Sequence, residues 1–348
     1  MISVAGRDIG LNHRPYLIAE MSGNHNRSLD RAMAIIEAAA SAGADAVKLQ
    51  TYTAQTMTLA IHAPGFVIDD PASLWHGRQL YDLYDEAHTP WEWHAPLIEY
   101  ARSLGMECFS TPFDDTAVDF LETLGVAAYK IASFECTDLP LIRKVASTGK
   151  PMIISTGMAA LSEIDQAVRT ARAAGCHQIV LLKCTSTYPA TPENTNISTI
   201  PHLREAFDCE VGLSDHTMGV GAAVAAVALG AVLIEKHFTT RRSDGGVDSA
   251  FSMEPEEFAL LRTETERAWQ SIGRVTYGVS PAEKPSLQFR RSLYVVEDLP
   301  AGSTLTRANV RAIRPGYGLS PAHLEEVLGR TVAVPVSRGT PLSWSLLG

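Results

Sequence analysis

The sequence predicts a (β/α)8 TIM barrel followed by a small, mostly β domain. The first observation is that eight short apolar runs, most of them rich in β-branched residues, alternate with segments that have helical periodicity. The second is that several of these helical segments end at a glycine, which accepts the left-handed conformation that closes a helix before the next strand. A doubly wound open sheet is the alternative, but no Gly-x-Gly-x-x-Gly turn supports it.

The predicted strands and helices follow one another along residues 1–277. The strands are expected in the runs PYLIAE, ADAVKLQT, MECFSTP, AAYKIAS, PMIIST, QIVLLKCT, CEVGLSD and AVLIEKH. Helices are expected at residues 29–42, 91–104, 116–124, 139–147, 161–174 and 219–229, with a last barrel helix around residues 254–272. A strand, a helix and a parallel strand make the unit that is repeated around such a barrel.

Three segments depart from this alternation. Residues 53–90 form a much longer connection, with a Pro/Gly break and then an aromatic-rich stretch, and insertions of this kind are usually substrate loops. Residues 278–289 have the Pro, Gly and Ser content of a linker. Residues 290–348 contain short strands and turns, with no helix of any length before residue 320, and are predicted to form a separate domain.

The composition excludes several classes of protein. The 348 residues are 46% hydrophobic and carry a formal charge of -10, so neither a nucleic-acid nor an anionic-membrane partner is expected, because such surfaces need basic patches. The five cysteines are odd in number and lack Cys-x-x-Cys spacing, which indicates reduced thiols of a cytosolic protein. Neither a secretion signal nor an uninterrupted run of 18 apolar residues is present, so the cytoplasm is the expected location.

His216 and His237 form the most informative pair in the chain. Each follows a predicted strand, and the stretch between them fits one right-handed crossover, so both strands should end side by side at the same edge. Because neighbouring strands lie about 4.8 Å apart, both imidazoles can reach one divalent metal ion. Two protein ligands would leave positions for water and substrate, as in a Lewis-acid catalyst. A lone histidine there would more often only hydrogen-bond within its loop.

Every predicted strand also ends in polar residues, which in this kind of barrel supply the catalytic groups. These residues are Glu20, Ser22, Asn24, His25, Lys48, Gln50, Ser110, Thr111, Lys130, Ser133, Ser155, Thr156, Thr185, Ser186, Tyr188, Ser214, His216, Glu235 and His237. Two lysines within apolar strands are costly to bury unless an anion neutralises them, so the rim predicts a carboxylate and phosphate site. Any single Ser or Thr could instead cap the next helix. Lys130 also allows a Schiff-base aldolase, although the two histidines would then have no role.

Short motifs coincide with these strand ends, namely IAEMSGNHN, GADAVKLQTY, FSTPFD, YKIASFE, ISTGM, LLKCTSTYPA, GLSDHT and IEKHFT, and AIRPGYG follows in the tail. They resemble the sialic acid synthase family over almost the whole chain. The resemblance implies an enzyme that condenses phosphoenolpyruvate with an N-acylated amino sugar into a nine-carbon 2-keto acid. Residues 74–94 and 241–258 most resemble the branch of the family that acts on 2,4-diacetamido-2,4,6-trideoxy-altrose.

The resemblance also implies roles for single residues. His216 and His237 would bind the metal, Mn²⁺ or Mg²⁺, with Co²⁺ as a further candidate. Phosphoenolpyruvate would be held by Lys48, Thr111, Lys130, Ser133, Ser155, Ser186 and Ser214. The sugar or the reacting water would face Glu20, Tyr188, Glu235 and Asp248, and Gln50 would also bind substrate. The expected catalytic residues are Glu20, Lys48, Lys130 and Glu235. Ser186 departs from the family pattern, which has Asn there.

The tail resembles the antifreeze-like domain that members of this family carry. In them it packs over the active site of the partner subunit, so a domain-swapped homodimer is implied, with Arg314 placed over the acetamido group of the sugar. Free-standing relatives of this domain bind ice, and ice binding is therefore the alternative function from another class. The complete polar rim of the barrel argues against it.

Overall fold

The computed structural model describes residues 2–348 and divides into two compact units, one ending at Gly273 and the other beginning at Arg274. Eight parallel strands of the first unit close into a barrel in chain order. The predicted (β/α)8 barrel is thereby confirmed, and the open doubly wound sheet is rejected because the last strand pairs with the first. The domain boundaries expected after residues 277 and 289 remain predictions.

The strands of the first unit are β1 (Ile2–Val4), β2 (Arg7–Ile9), β3 (Tyr16–Glu20), β4 (Ala46–Thr51), β5 (Glu107–Pro112), β6 (Tyr129–Ile131), β7 (Met152–Ser155), β8 (Ile179–Cys184), β9 (Glu210–Ser214) and β10 (Leu233–His237). Its helices are α1 (Leu29–Ser41), α2 (Ala54–Met57), α3 (Leu80–Ala87), α4 (Trp91–Ser103), α5 (Asp115–Thr123), α6 (Leu139–Ala146), α7 (Leu161–Ala173), α8 (Thr199–Phe207), α9 (Gly221–Ala228) and α10 (Pro255–Ile272). Within residues 2–348, none of the helices is both long and apolar enough to cross a membrane.

The predicted elements agree with the structure to within two residues at each helix end, and strands β3 to β10 fall one in each predicted run. Three helices of this unit were not predicted: α2, α3 and α8. Helix α8 follows a polar stretch and has Pro201 in its first turns, so its apolar periodicity is short. The long connection before α4 is not wholly irregular, because it contains α2 and α3.

Local signals explain where the helices begin and end. The side chains of Ser28, Asp114 and Asp138 accept hydrogen bonds from backbone N–H groups in the first turns of α1, α5 and α6. Gly43, after α1, has a φ of +88°, and the other glycines predicted to end helices also have positive φ. Because these caps end the helices sharply, only short segments lead from a helix into the next strand. Each strand therefore begins at the same end of the barrel.

The register of the barrel brings the functional side chains together. Glu20 pairs with His237 on one side and with Lys48 on the other, and Glu235 pairs with Ser214. The carboxyl ends of β3, β4, β9 and β10 therefore lie side by side at one end of the barrel, which we call the mouth.

The opposite end of the barrel, the base, is covered by the antiparallel hairpin β1–β2. Ile2, Val4 and Ile9 are buried in the barrel core. The backbone N–H of Ser3 donates to Oε1 of Gln178, just before β8, at 3.0 Å. The hairpin thus seals the core where the strands begin.

The second unit has a core of its own, formed by residues such as Leu293, Val310 and Leu342. Strands β11 (Ser292–Val295) and β12 (Val310–Ile313) pair in antiparallel fashion, and the short helix α11 (Leu324–Val327) follows. The predicted linker includes a 3-10 helix, Lys284–Phe289.

Candidate active site

A cavity of about 320 Å³ opens at the mouth of the barrel. Twelve of the fifteen residues with expected roles line it: Glu20, Lys48, Gln50, Lys130, Ser133, Ser155, Tyr188, Ser214, His216, Glu235, His237 and Asp248. Asp248 comes from the loop after β10, and the others come from seven of the eight strands or from the residues that follow them. The structure therefore brings most of the predicted site into one place.

Two lysines and two glutamates form the charged centre of this cavity. Lys48 Nζ contacts the Glu20 carboxylate and lies 3.9 Å from Glu235 Oε1, and Lys130 Nζ lies 3.3 Å from that same oxygen. No side chain among the four is more than 5% exposed. Charges buried this deeply persist only when they are paired. A substrate anion bound here would thus share the lysines with the glutamates.

The pKa values of the two glutamates are shifted in opposite directions. Burial raises the pKa of Glu20 to about 7, and the nearby Glu235 adds to this effect, while Lys48 offsets only part of it. For Glu235, burial also opposes ionisation, but Lys130 and Lys48 outweigh it and lower the pKa. Neighbouring carboxyl groups with diverging pKa values are the usual basis of acid and base roles within one site.

The two lysines also differ. Burial lowers the pKa of Lys130, and Glu235 offsets this only in part. At Lys48, burial is outweighed by Glu20 and Glu235, so the pKa of this ammonium group is raised. Lys48 Nζ also donates to Thr111 Oγ1 at 3.1 Å. Lys48 is consequently held as a fixed positive charge.

His216 and His237 face each other across the cavity, with ring centroids 5.3 Å apart. His216 Nδ1 lies 2.9 Å from the carbonyl oxygen of Thr185, which fixes this nitrogen as a donor. His237 Nδ1 is buried without a hydrogen-bond partner, and Asp248 Oδ2 lies 3.7 Å away. Burial lowers the pKa of His237 well below its usual value, and neighbouring positive charges lower it further, so this ring is neutral.

A buried ion pair positions the loop that carries His216. Lys236 Nζ donates to Asp215 Oδ2 at 2.9 Å and to the carbonyl oxygens of Thr217 and Gly219 at 2.6 and 3.0 Å. Successive residues of a strand point to opposite faces, so Lys236 points away from the interior that Glu235 and His237 face. Lys236 thus braces the loop after β9 from outside the cavity.

The long connection between β4 and α4 forms an apolar wall of the cavity. Its contributing side chains are Met57, Ile68, Trp75, Leu80, Leu83 and Tyr84. Trp75 Nε1 donates to the carbonyl oxygen of Val247 at 3.0 Å, next to Asp248. The connection is therefore tied to the loop after β10.

Asp248 and Tyr188 lie between the wall and the histidines. The Asp248 carboxylate accepts a hydrogen bond from Ser22 Oγ, and burial raises the pKa of Asp248 although this hydrogen bond opposes the rise. The ring of Tyr188 lies 4.5 Å from that of His216 and 6.0 Å from that of Trp75. Both residues thus connect the charged and the apolar parts of the cavity.

Three predicted site residues do not line the cavity directly. Thr111 is buried behind Lys48 as its hydrogen-bond acceptor. Ser186 Oγ lies 3.8 Å from Cys184 Sγ and close to Gly157. Arg314 belongs to the second unit, where it is exposed directly after β12.

Two further residues of the site were missed. Cys184 lines the cavity; burial raises the pKa of its thiol, but His216, Ser133 and Lys130 together outweigh this and lower it to about 6, while the contact with Cys184 helps to raise the pKa of His216. Gly157 lies where a Cβ would collide with Ser186 Oγ and come within 2.7 Å of Ser133 Oγ, so any larger residue would displace these hydroxyl groups. The position of Cys184 at a strand end was the available signal.

Comparison with known proteins identifies the family. Residues 35–277 match the NeuB family model, and residues 290–348 match the model of the SAF domain. The chain belongs to the NeuB family. The resemblance to sialic acid synthases that was inferred from the strand-end motifs is thereby confirmed.

Individual relatives cover nearly the full chain. It is 41% identical to pseudaminic acid synthase of Helicobacter pylori, over 94% of this chain and 96% of that protein. It is 36% identical to N,N'-diacetyllegionaminic acid synthase of Legionella pneumophila, over 94% of this chain and 93% of that protein. The crystal structure of N-acetylneuraminic acid synthetase from Leptospira borgpetersenii serovar Hardjo-bovis in complex with citrate superposes with a TM-score of 0.73 at 31% identity, covering 83% of this chain and 95% of that one. The chain is therefore an enzyme, a transferase of the nonulosonic acid synthase type.

Proposed function

We propose that this enzyme is a pseudaminic acid synthase. It would condense phosphoenolpyruvate, 2,4-diacetamido-2,4,6-trideoxy-β-L-altropyranose and water to give pseudaminic acid and phosphate. The 41% identity to pseudaminic acid synthases of two genera supports this substrate.

One observation carries the proposal: a single cavity joins a buried charged centre to an apolar wall. The lysines, with the serines around them, suit the carboxylate and phosphate of phosphoenolpyruvate. The wall, which includes Trp75, Leu80 and Leu83, suits the 6-methyl group of a 6-deoxy sugar. A hydroxyl group placed against these side chains would be desolvated without a partner.

The two histidines fit a divalent metal ion. His237 is neutral and has a buried ring nitrogen without a partner, and the Nδ1 of His216 is occupied, which leaves its other nitrogen for a ligand. A cation would take the place of the proton that His216 shares with Cys184. Within residues 2–348 no group of three or more His, Cys, Asp or Glu side chains could hold an ion, so water and substrate would supply the other ligands. When bound, Mn²⁺, Mg²⁺ or Co²⁺ would polarise the C1 aldehyde of the open-chain sugar.

The residues of the charged centre would then support condensation and loss of phosphate. C3 of phosphoenolpyruvate attacks C1 of the sugar, and positive charge develops at C2. Glu20 or Glu235 accepts a proton from the water that adds at C2, giving a tetrahedral intermediate. Lys48 and Lys130 stabilise the phosphate as it leaves with cleavage of the C–O bond.

The proposal extends to assembly and location. A domain-swapped homodimer would bring the SAF domain of one subunit to the barrel mouth of the other, as the family resemblance implies. The five cysteines are all free and buried, which suits the reducing cytoplasm.

Substrate competition tests the proposal. We expect kcat/KM for the altrose derivative to exceed that for N-acetylmannosamine and for the legionaminic acid precursor. A higher kcat/KM for either competitor would reassign the enzyme to the neuraminate or legionaminate branch. Phosphoenolpyruvate labelled with ¹⁸O in its bridging position should yield labelled phosphate, and unlabelled phosphate would rule out C–O cleavage.

A further inference from the structure

A second cavity, of about 560 Å³, lies at the base of the barrel, at the opposite end from the candidate active site. It is bounded by the hairpin β1–β2, by the segments that lead into β3, β4 and β5, and by α10. Four arginines and two carboxylates line it: Arg7, Arg14, Arg102, Arg262, Asp45 and Glu107. We call these four arginines the basal arginines. They exceed the carboxylates by two charges, or by one once Glu266, which pairs with Arg262, is counted.

Asp45 has no capacity left for these arginines. Its Oδ1 contacts Arg7 and lies 3.0 Å from Arg14, and its Oδ2 lies 3.3 Å from both Arg14 and Arg262. Oδ2 also accepts the backbone N–H of Leu17 at 2.8 Å. An ionised carboxylate offers about four lone-pair sites, and five contacts already converge on them. Each guanidinium has five N–H groups, so donors remain that Asp45 cannot satisfy.

Arg7 shows this excess directly. Its Nη2 is buried and has no hydrogen-bond partner. Its guanidinium lies over the ring of Tyr16, with Cζ 4.6 Å from the centroid, so the donors are held in place. Arg102 is already committed, because it donates to Glu107 and to the carbonyl oxygen of Gly125.

We propose that this basal cavity binds a phosphate-bearing anion. Planar guanidinium groups match phosphate oxygens, and Arg7 and Arg14 line the same cavity with N–H groups that Asp45 cannot satisfy. The cavity is larger than inorganic phosphate needs, so the phosphate group of a small organic molecule also fits. Such a ligand would not compete with substrate, because it binds at the other end of the barrel, and it would stabilise the folded enzyme by mass action.

Calorimetric titration of the full-length enzyme with inorganic phosphate tests this proposal. Wild-type enzyme should show two classes of site, one at the mouth and one at the base. Lys130→Met should remove the class at the mouth, whereas Arg7→Gln and Arg14→Gln should each weaken the other class by about tenfold. Arg169→Gln, which removes an exposed arginine from an ion pair on α7, is the matched control and should retain both classes. Titration with adenosine monophosphate shows whether the base prefers an organic phosphate.

The titration can contradict phosphate binding at one end of the barrel without contradicting it at the other. A single class that Lys130→Met removes and the arginine variants leave intact would overturn the basal site. A single class that only the arginine variants remove would support it and contradict phosphate binding at the mouth. If Arg7→Gln does not fold, wild-type crystals soaked in selenate decide: an anomalous peak in the basal cavity, beside Arg7 and Arg14, supports the proposal, and its absence overturns it.

Discussion

The two ends of the barrel both gather charged residues, but in opposite ways. At the mouth, the lysines and glutamates of the charged centre project from strands and are at most 5% exposed. At the base, the basal arginines lie on the hairpin, on a loop and on helices, with side chains that are 18 to 40% exposed around one buried aspartate.

The degree of burial decides which end of the barrel can carry out bond-making chemistry. Strand backbones fix the mouth residues within the closed sheet, and burial there strengthens every electrostatic interaction and separates the pKa values of Glu20 and Glu235. At the base, water reaches the long arginine side chains, which can hold an anion but gain little from desolvation. We therefore expect catalysis to depend on the mouth, and the predictions below test that expectation.

Removal of divalent metal should have the largest effect. EDTA dialysis should lower turnover by about a thousandfold, because Lewis-acid stabilisation of the aldehyde oxygen is worth several kcal/mol. Added Mn²⁺ should restore turnover, as measured by phosphate release. Full activity in the stripped enzyme, or inactivation by borohydride in the presence of substrate, would instead favour a Schiff base on Lys130.

Charge removal at the two ends should affect stability unequally. Lys48→Met leaves Glu20 buried without its ion pair and should cost about 3 to 5 kcal/mol. Arg14→Gln should cost less than about 1 kcal/mol, because Asp45 keeps Arg7 and Arg262. Urea unfolding, followed by circular dichroism, measures the free energy of unfolding of both variants. Equal losses of stability would contradict the expected difference between the mouth and the base.

The sign of the pH dependence gives a further check on Lys48→Met. The pKa of Glu20 is already raised in the folded enzyme, and loss of Lys48 should raise it more. A group whose folded pKa is raised contributes stability at low pH that is lost as pH rises through that value. The destabilisation should therefore be larger at pH 8 than at pH 6, and the opposite order would show that Glu20 is not the affected group.

The pH profile of kcat/KM should reveal which glutamate is the base. If Glu20 acts, activity should fall about tenfold per pH unit below pH 7, because its pKa is raised to about 7 and the protonated carboxyl group cannot accept a proton. If Glu235 acts, whose pKa is lowered, the fall should begin only at more acidic pH. A profile that stays flat below pH 7 would thus remove Glu20 as the base.

Strand periodicity and helix-ending glycines were enough to predict the barrel, because parallel strands buried on both faces read as continuous apolar runs. The same reasoning placed most of the cavity, since the carboxyl ends of all eight strands meet at one end of the barrel. It could not reveal that Lys236 braces its loop from outside, since the groups that its ammonium contacts, such as Asp215, meet it only in the folded loop.

Features that depend on contacts between distant segments could not be predicted from the sequence. Cys184 looked like any buried thiol until its neighbour His216 was in place. Gly157 shows its role only when Ser133 and Ser186 are seen to fill the space of a Cβ. The convergence of three arginines on Asp45 joins segments more than 200 residues apart and carries no local pattern.

The mouth, unlike the base, is expected to need a residue from outside its own barrel. Arg314 is exposed in the second unit, and the family resemblance places it over the acetamido group of the sugar in the partner subunit. Arg314→Ala should raise KM for the sugar about tenfold, the value of one charged hydrogen bond, with little change in KM for phosphoenolpyruvate. Mixing inactive His237→Ala subunits with Arg314→Ala subunits, at a sugar concentration too low for the latter alone, should recover activity, because one of the two mouths in a mixed dimer keeps both groups. No recovery in mixed dimers that are shown to form would mean that each SAF domain serves its own barrel.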